Sequence, residues 1–120
     1  MFKIMIRDTM SLTAKEILEA TGKIAVTVDN DKATNDPDAL SKVIGEFEGL
    51  ALRSGTRVTA EVLEHAPRLK VIGRAGIGVD NIDLKAATRK GIVVMNAPGG
   101  NTVTTAEHAI AMMMSLTRNI

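Results

Sequence analysis

Two arginines each follow a short apolar run, and each opens a loop containing glycine. Arg53 begins Arg53-Ser54-Gly55-Thr56, and Arg74 begins Arg74-Ala75-Gly76-Ile77-Gly78-Val79-Asp80-Asn81. A third loop, Asn96-Ala97-Pro98-Gly99-Gly100-Asn101, follows a later apolar run. A guanidinium offers a planar fork of donors that suits phosphate or carboxylate. Glycines let backbone N–H groups come close to an anion, and Ser54 and Thr56 add hydroxyl donors. The combination points to a site for a small anion. A single arginine on a protein is usually half of a surface ion pair, but two on neighbouring strand ends beside glycine loops favour a ligand.

Other chemistry fits poorly. Gly73-x-x-Gly76-x-Gly78 is not the dinucleotide fingerprint, which needs G-x-G-x-x-G after a first strand and an acidic residue about 20 positions on. His65 lies beside Pro67 and reads as a surface residue. His108 follows Glu107 on a helix, where adjacent residues point apart, so the two do not form an acid–base pair. Asp80 and Asp83 read as loop and N-cap residues. With no cysteine in the chain, a metal site is not expected. A phosphorylation receiver would need acidic residues after its third strand and a lysine after its fifth; Arg53 and Asn96 stand there instead. A flavin carrier lacks the aromatic residues to stack on the ring.

The elements that must position these loops are legible as alternating strands and helices. Apolar runs at Lys3–Arg7, Lys23–Val28, Gly49–Leu52, Lys70–Gly73 and Gly91–Met95 are continuous and rich in Val and Ile. Strands buried on both faces read this way, as in a parallel sheet covered by helices. Thr13 with Glu16 offers a capping box, Asp36-Pro37 an N-cap with a first-turn proline, and Thr59 and Asp83 further helix starts. Thr104 with Glu107 offers a box for the last helix. The expected fold is α/β, a flavodoxin-like, doubly wound, five-stranded parallel sheet of order 2-1-3-4-5 with a long C-terminal helix. Ligands bind beyond the carboxyl ends of such strands, where the three loops converge.

The last helix stands apart. From Ala109 to Leu116 only Ser115 is polar, and a helix apolar all round needs burial on more than one side. Either it lies in the core, or one face awaits a further domain, a second subunit or a swapped copy; a homodimer through this helix is the expectation.

Composition bounds the rest. The chain has 120 residues, 45% apolar, with seven Met and only Phe2 and Phe47 as aromatics. That supports one domain with an aliphatic core. A net charge of +1 argues against nucleic acid and gives no attraction to a membrane surface. The start reads as a strand, not a signal peptide, and the absence of cysteine fits a reducing compartment. A cytoplasmic protein is expected.

The stretch LALRSGTRVTAEVLEHAPRLKVIGRAGIGVDNIDLKAATRKGIVVMNAPGGNTVTTAEHAIAMMMSLTR resembles D-2-hydroxyacid dehydrogenases of the phosphoglycerate type. GRAGIGVDNID and VVMNAPGGNTVTTAEH carry the likeness; the opening strand and helix fit more loosely. The resemblance implies oxidation at C2 of a phosphorylated hydroxyacid, in serine synthesis, with NAD as hydride acceptor. It places Arg53, with Ser54 beside it, near the substrate phosphate, and Arg74 in the active-site cleft. The backbone of Arg74, Ala75, Gly76, Ile77 and Gly78 would hold the substrate carboxylate. Ile77 would touch the nicotinamide side, where some relatives carry Thr, and Asn101 would lie near the substrate and the interdomain crossover. It further implies a substrate-binding domain over 1–100, an interdomain helix over 101–120, and a Rossmann NAD domain that these 120 residues do not include. No catalytic residue and no bound NAD are then expected in this chain, and hydride transfer by it alone is not. The alternative is a stand-alone small-anion-binding module, natural or engineered, with the last helix folded back on the sheet.

Overall fold

A computed structural model of the chain describes residues 1–31 and 35–120. The elements run β1 (Phe2–Arg7), α1 (Leu12–Glu19), β2 (Ile24–Asp29), α2 (Pro37–Val43), β3 (Gly49–Leu52), α3 (Ala60–Glu64), β4 (Val71–Arg74), α4 (Leu84–Arg89), β5 (Val93–Met95) and α5 (Thr102–Thr117), with a 3-10 turn at Ile44–Glu46. The five strands form one sheet in the order β2-β1-β3-β4-β5, and every pairing is parallel. The expected fold is therefore present.

Side chains alternate between the faces of a strand. The register puts Met5, Leu50 and Ile72 in one row and Ile4, Gly49, Val71 and Val93 in the opposite one. The first row meets α2, α3 and α4 in the core, with Leu40, Ile44, Val62, Leu63, Ala86 and Ala87. The strand order reverses at β1, so right-handed crossovers send α1 to the other face.

That other face departs from expectation. The apolar runs predict cover on both sides, but α1 buries no residue, and Val93 and Met95 are 57% and 54% exposed. A Cβ added at Gly73, in the middle of this face, would meet nothing within 4 Å. Both faces carry similar residues, and only one has helices enough to cover it.

Helix α5 is the largest departure. It holds no buried residue, and Val103, Met112, Met113, Met114 and Leu116 are all more than half exposed. It neither enters the core nor folds back over the sheet. It extends the molecule to 55 × 32 × 27 Å with a radius of gyration of 17.0 Å, against about 14 Å for a compact chain of this length.

The caps at Asp36, Thr59 and Asp83 form as expected, each side chain accepting from a first-turn N–H. Two others shift. Helix α1 is capped by Ser11, whose hydroxyl accepts from Thr13 N, and α5 starts from Asn101. Helical backbone begins one residue before Thr13 in α1 and two before Thr104 in α5, which leaves the Thr of each Thr-x-x-Glu pattern inside the first turn.

Candidate functional site

The loops after β3 and β4 meet at the carboxyl edge of the sheet, pinned by hydrogen bonds that the strands themselves direct. Ala75 N donates to the Leu52 carbonyl at 2.9 Å, joining the end of β3 to the loop after β4. Ala97 N donates to the Gly76 carbonyl at 2.9 Å, and Asn96 Nδ2 to the Ile77 carbonyl at 2.9 Å. The loop after β5 is thus fastened to the glycine loop.

Asn81 is the central clasp. Its amide nitrogen donates to the Arg53 carbonyl at 2.8 Å and the Thr56 carbonyl at 2.6 Å. Its Oδ1 accepts from Arg74 Nη1 at 2.6 Å. One side chain so links all of Arg53, Thr56 and Arg74.

The two arginines have different situations. Arg53 is exposed; its N donates to Asp8 Oδ2 at 2.8 Å and its Nη1 to the Thr9 carbonyl at 3.0 Å. Among the described residues the rest of its fork has no partner. The Arg74 side chain is 11% exposed and its Nη1 also bonds Asp80 Oδ1 at 2.8 Å. The hydrogen bond from Arg74, then a backbone N–H of Asp80 itself, then the Arg74 charge hold the Asp80 carboxyl below its usual range. The loop curls close over this guanidinium: a Cβ at Gly78 would lie 3.1 Å from Asp80 Oδ1 and 3.5 Å from Arg74 Nη1.

A crevice of about 300 Å³ opens between the ends of β1, β2 and β3, lined by Asp8, Thr9, Asn30, Asn35, Arg53, Ser54 and Gly55. It lies at the point where strand order reverses, the position at which doubly wound sheets bind ligands. Ser54, Ala75, Ile77 and Gly78 are exposed along this edge, and Gly76 partly so. Asn101 is set apart from the crevice lining, at the N-terminus of α5, with its side chain outside the cap. Thr56 is fully buried, and its hydroxyl donates to Asp8 Oδ1 at 2.9 Å; it serves the loop rather than a ligand. His65 is exposed, with Nδ1 on the Glu61 carbonyl at 2.9 Å, and His108 is exposed on α5.

Asp8, Asn81 and Arg7 escape sequence reading. The Arg7 side chain is buried, paired with Asp29 at 2.9 Å and hydrogen-bonded to Asn35 Oδ1 at 2.6 Å. Nothing in a strand-ending Arg-Asp announces this. The available signal for Asn81 is its place at the end of the glycine loop that Arg74 opens.

The turn from β1 to α1, Asp8-Thr9-Met10-Ser11, has no glycine, and the Thr13 N–H at the start of α1 is taken by Ser11. It does not fit a dinucleotide pyrophosphate. Among the described residues no group of His, Cys, Asp or Glu could hold a metal ion, and no helix is long and apolar enough to cross a membrane.

Residues 4–119 match the family of D-isomer specific 2-hydroxyacid dehydrogenases, catalytic domain. The chain is 46% identical over 118 residues to D-3-phosphoglycerate dehydrogenase of Archaeoglobus fulgidus, covering 98% of this chain and 22% of that protein. It is 42% identical over 120 residues to the Synechocystis enzyme of the same name, covering 100% of this chain and 21% of that protein. The NAD+-bound 3-phosphoglycerate dehydrogenase of Entamoeba histolytica superposes with a TM-score of 0.78 at 29% identity, over 95% of this chain and 38% of that one. The chain thus spans about a fifth of the length of these curated relatives.

Proposed function

The chain belongs to the D-isomer specific 2-hydroxyacid dehydrogenase family, and from that premise we propose that it is the substrate-binding portion of an NAD-dependent D-3-phosphoglycerate dehydrogenase. Residues 1–100 are read as the substrate domain and 101–120 as the connecting helix. The observation that carries this is the carboxyl edge itself: an exposed Arg53 fork beside Ser54 at the switch-point crevice, one strand away from the Ala75–Gly78 backbone.

In this reading the substrate phosphate sits on Arg53 and Ser54, where a fork and a hydroxyl converge. Its carboxylate faces the amides of Ile77 and Gly78, while Ala75 N and Gly76 N, which donate to the Leu52 and Arg74 carbonyls, hold the loop in shape, and Asn101 borders the substrate at the crossover. Arg74 orders that loop through Asp80 and Asn81. The chain's residues bind and orient the hydroxyacid. The β1–α1 turn does not fit the cofactor, so NAD chemistry is assigned to residues outside these 120, with Ile77 facing the nicotinamide side. A cytoplasmic location accords with the absence of cysteine.

Titration of the chain with 3-phosphoglycerate tests this. Saturable binding that weakens in Arg53→Ala is expected; no binding, or equal binding of inorganic phosphate, sinks the substrate assignment and leaves a simple anion module. The 120 residues alone are expected to show no NAD-dependent oxidation of 3-phosphoglycerate, and turnover above a blank would refute that division of labour. We further assign the exposed apolar length of α5 to a homodimer contact. A strictly monomeric mass by light scattering at all micromolar concentrations would remove it.

A further inference from the structure

We propose that Asp8 is a positioning residue for the anion site, one that fixes the Arg53–Thr56 loop as a wall of the crevice; this rests on the substrate-site reading above. Asp8 has φ 61°, in the left-handed region that Gly, Asn and Asp tolerate best among residues. The backbone leaves β1 there in a sharp turn, and the carboxylate lies under the loop after β3. Its Oδ2 accepts from Arg53 N at 2.8 Å and Thr56 N at 3.3 Å, and its Oδ1 from Thr56 Oγ1 at 2.9 Å.

The loop is shaped around this group. A Cβ at Gly55 would stand 2.7 Å from Asp8 Oδ1, so any larger residue at 55 would push the carboxylate off its loop donors. Arg53 Nη1 also rests on the Thr9 carbonyl, next to Asp8. A carboxylate at the edge of an anion site would repel its ligand if it stood free; here its lone pairs are directed to three loop donors, and it holds the arginine that attracts the anion. The preceding residue completes the frame. Arg7 points away from Asp8 and binds the Asp29 carbonyl at 3.1 Å and Asn35 Oδ1 at 2.6 Å, in the segment that lines the opposite side. Two consecutive residues therefore fasten two walls.

The test uses Asp8→Asn and Asp8→Gly in the 120-residue chain, since both tolerate the backbone angle and neither keeps the carboxylate. Three quantities are measured: 3-phosphoglycerate affinity by calorimetry, amide hydrogen exchange by NMR, and the urea midpoint. Both variants should bind roughly tenfold more weakly, the loss expected for about one charge-assisted hydrogen bond. The Arg53 and Thr56 amides should exchange about tenfold faster, while those of β4 and α4 keep their rates. Unchanged exchange at both amides overturns the proposal, whatever the affinity. An equal rise in exchange across β4, with a falling urea midpoint, overturns it too, because Asp8 would then serve the whole fold. Unchanged affinity in a binding-competent chain overturns the link to the anion. If the wild type binds no 3-phosphoglycerate, the substrate reading fails on its own, and exchange at Arg53 and Thr56 still decides whether Asp8 holds the loop.

Discussion

Helices α3 and α5 are both rich in apolar residues, yet α3 buries Val62 and Leu63 completely while α5 buries nothing. The shorter of the two is the better packed. Five residues are too few for a helix to stand alone in water; α3 persists because Thr59 caps it and α2 and α4 flank it over the sheet. The sixteen residues of α5 exceed the length below which an isolated helix is marginal, so its helical backbone depends less on neighbours than that of α3. Burial follows from where the crossovers put a segment, and apolar composition only makes a segment able to use that place.

The sharpest way to break the comparison is at its packed end. Leu63→Ala removes a fully buried side chain from the core and should destabilise by about 3–4 kcal/mol, seen as a lower urea midpoint. A loss under about 1 kcal/mol would show that α3 is no better anchored than α5. Asp29→Ala should come next. It strips the buried Arg7 guanidinium of a carboxylate, and roughly 2–3 kcal/mol is expected, less than for a wholly buried pair because Asp29 keeps some solvent contact.

A smaller effect should come from pH, and again from the sheet side alone. The Lys3 N–H, working against burial and with help from Arg68, depresses the Glu48 pKa, and Arg74 does the same for Asp80. A carboxyl with a depressed folded-state pKa adds stability above its unfolded pKa and loses it as pH falls through the folded value. Urea midpoints should therefore drop as pH is lowered through the ordinary carboxylate range and below it, and Asp80→Asn with Glu48→Gln should flatten that slope. Smallest of all, Met113→Ala on α5 should change the stability of a dilute monomer by no more than about 0.5 kcal/mol, while raising the dissociation constant of the dimer assigned to that helix. A large stability loss without change in assembly would mean α5 packs on its own sheet.

Much of this organisation is legible in residue order. Continuous Val and Ile runs mark parallel strands, and Asp36, Thr59 and Asp83 mark helix starts because a cap is a local contact between residues two or three apart. The cap at Ser11 is also local, but a Thr-x-x-Glu pattern lies just downstream of it, as one does after Asn101, where α5 starts with no side-chain cap. What sequence order hides is the contact between distant residues. Arg53 and Arg74 read alike as guanidiniums at neighbouring strand ends; that one keeps an open fork while the other is bound by Asp80 and Asn81 depends on how a loop closes in space. Arg7 and Asp8 look like a polar strand end, and their partners lie at least 22 positions away. The open face is hidden for a related reason: strand composition states what a face can bury, and the number of crossovers on each side decides what it does bury.

One further property follows from strand β5. It lies at the edge of the sheet, three residues long, with Val93 and Met95 half exposed, and a sheet edge offers unpaired backbone donors and acceptors to any other strand. The net charge of +1 supplies almost no long-range repulsion between molecules. In colloidal terms the chain is a weakly stabilised particle with an adhesive rim: concentrated solutions should scatter light well before they saturate, and sulfate or phosphate buffers, which strengthen apolar association, should bring that turbidity on sooner than chloride.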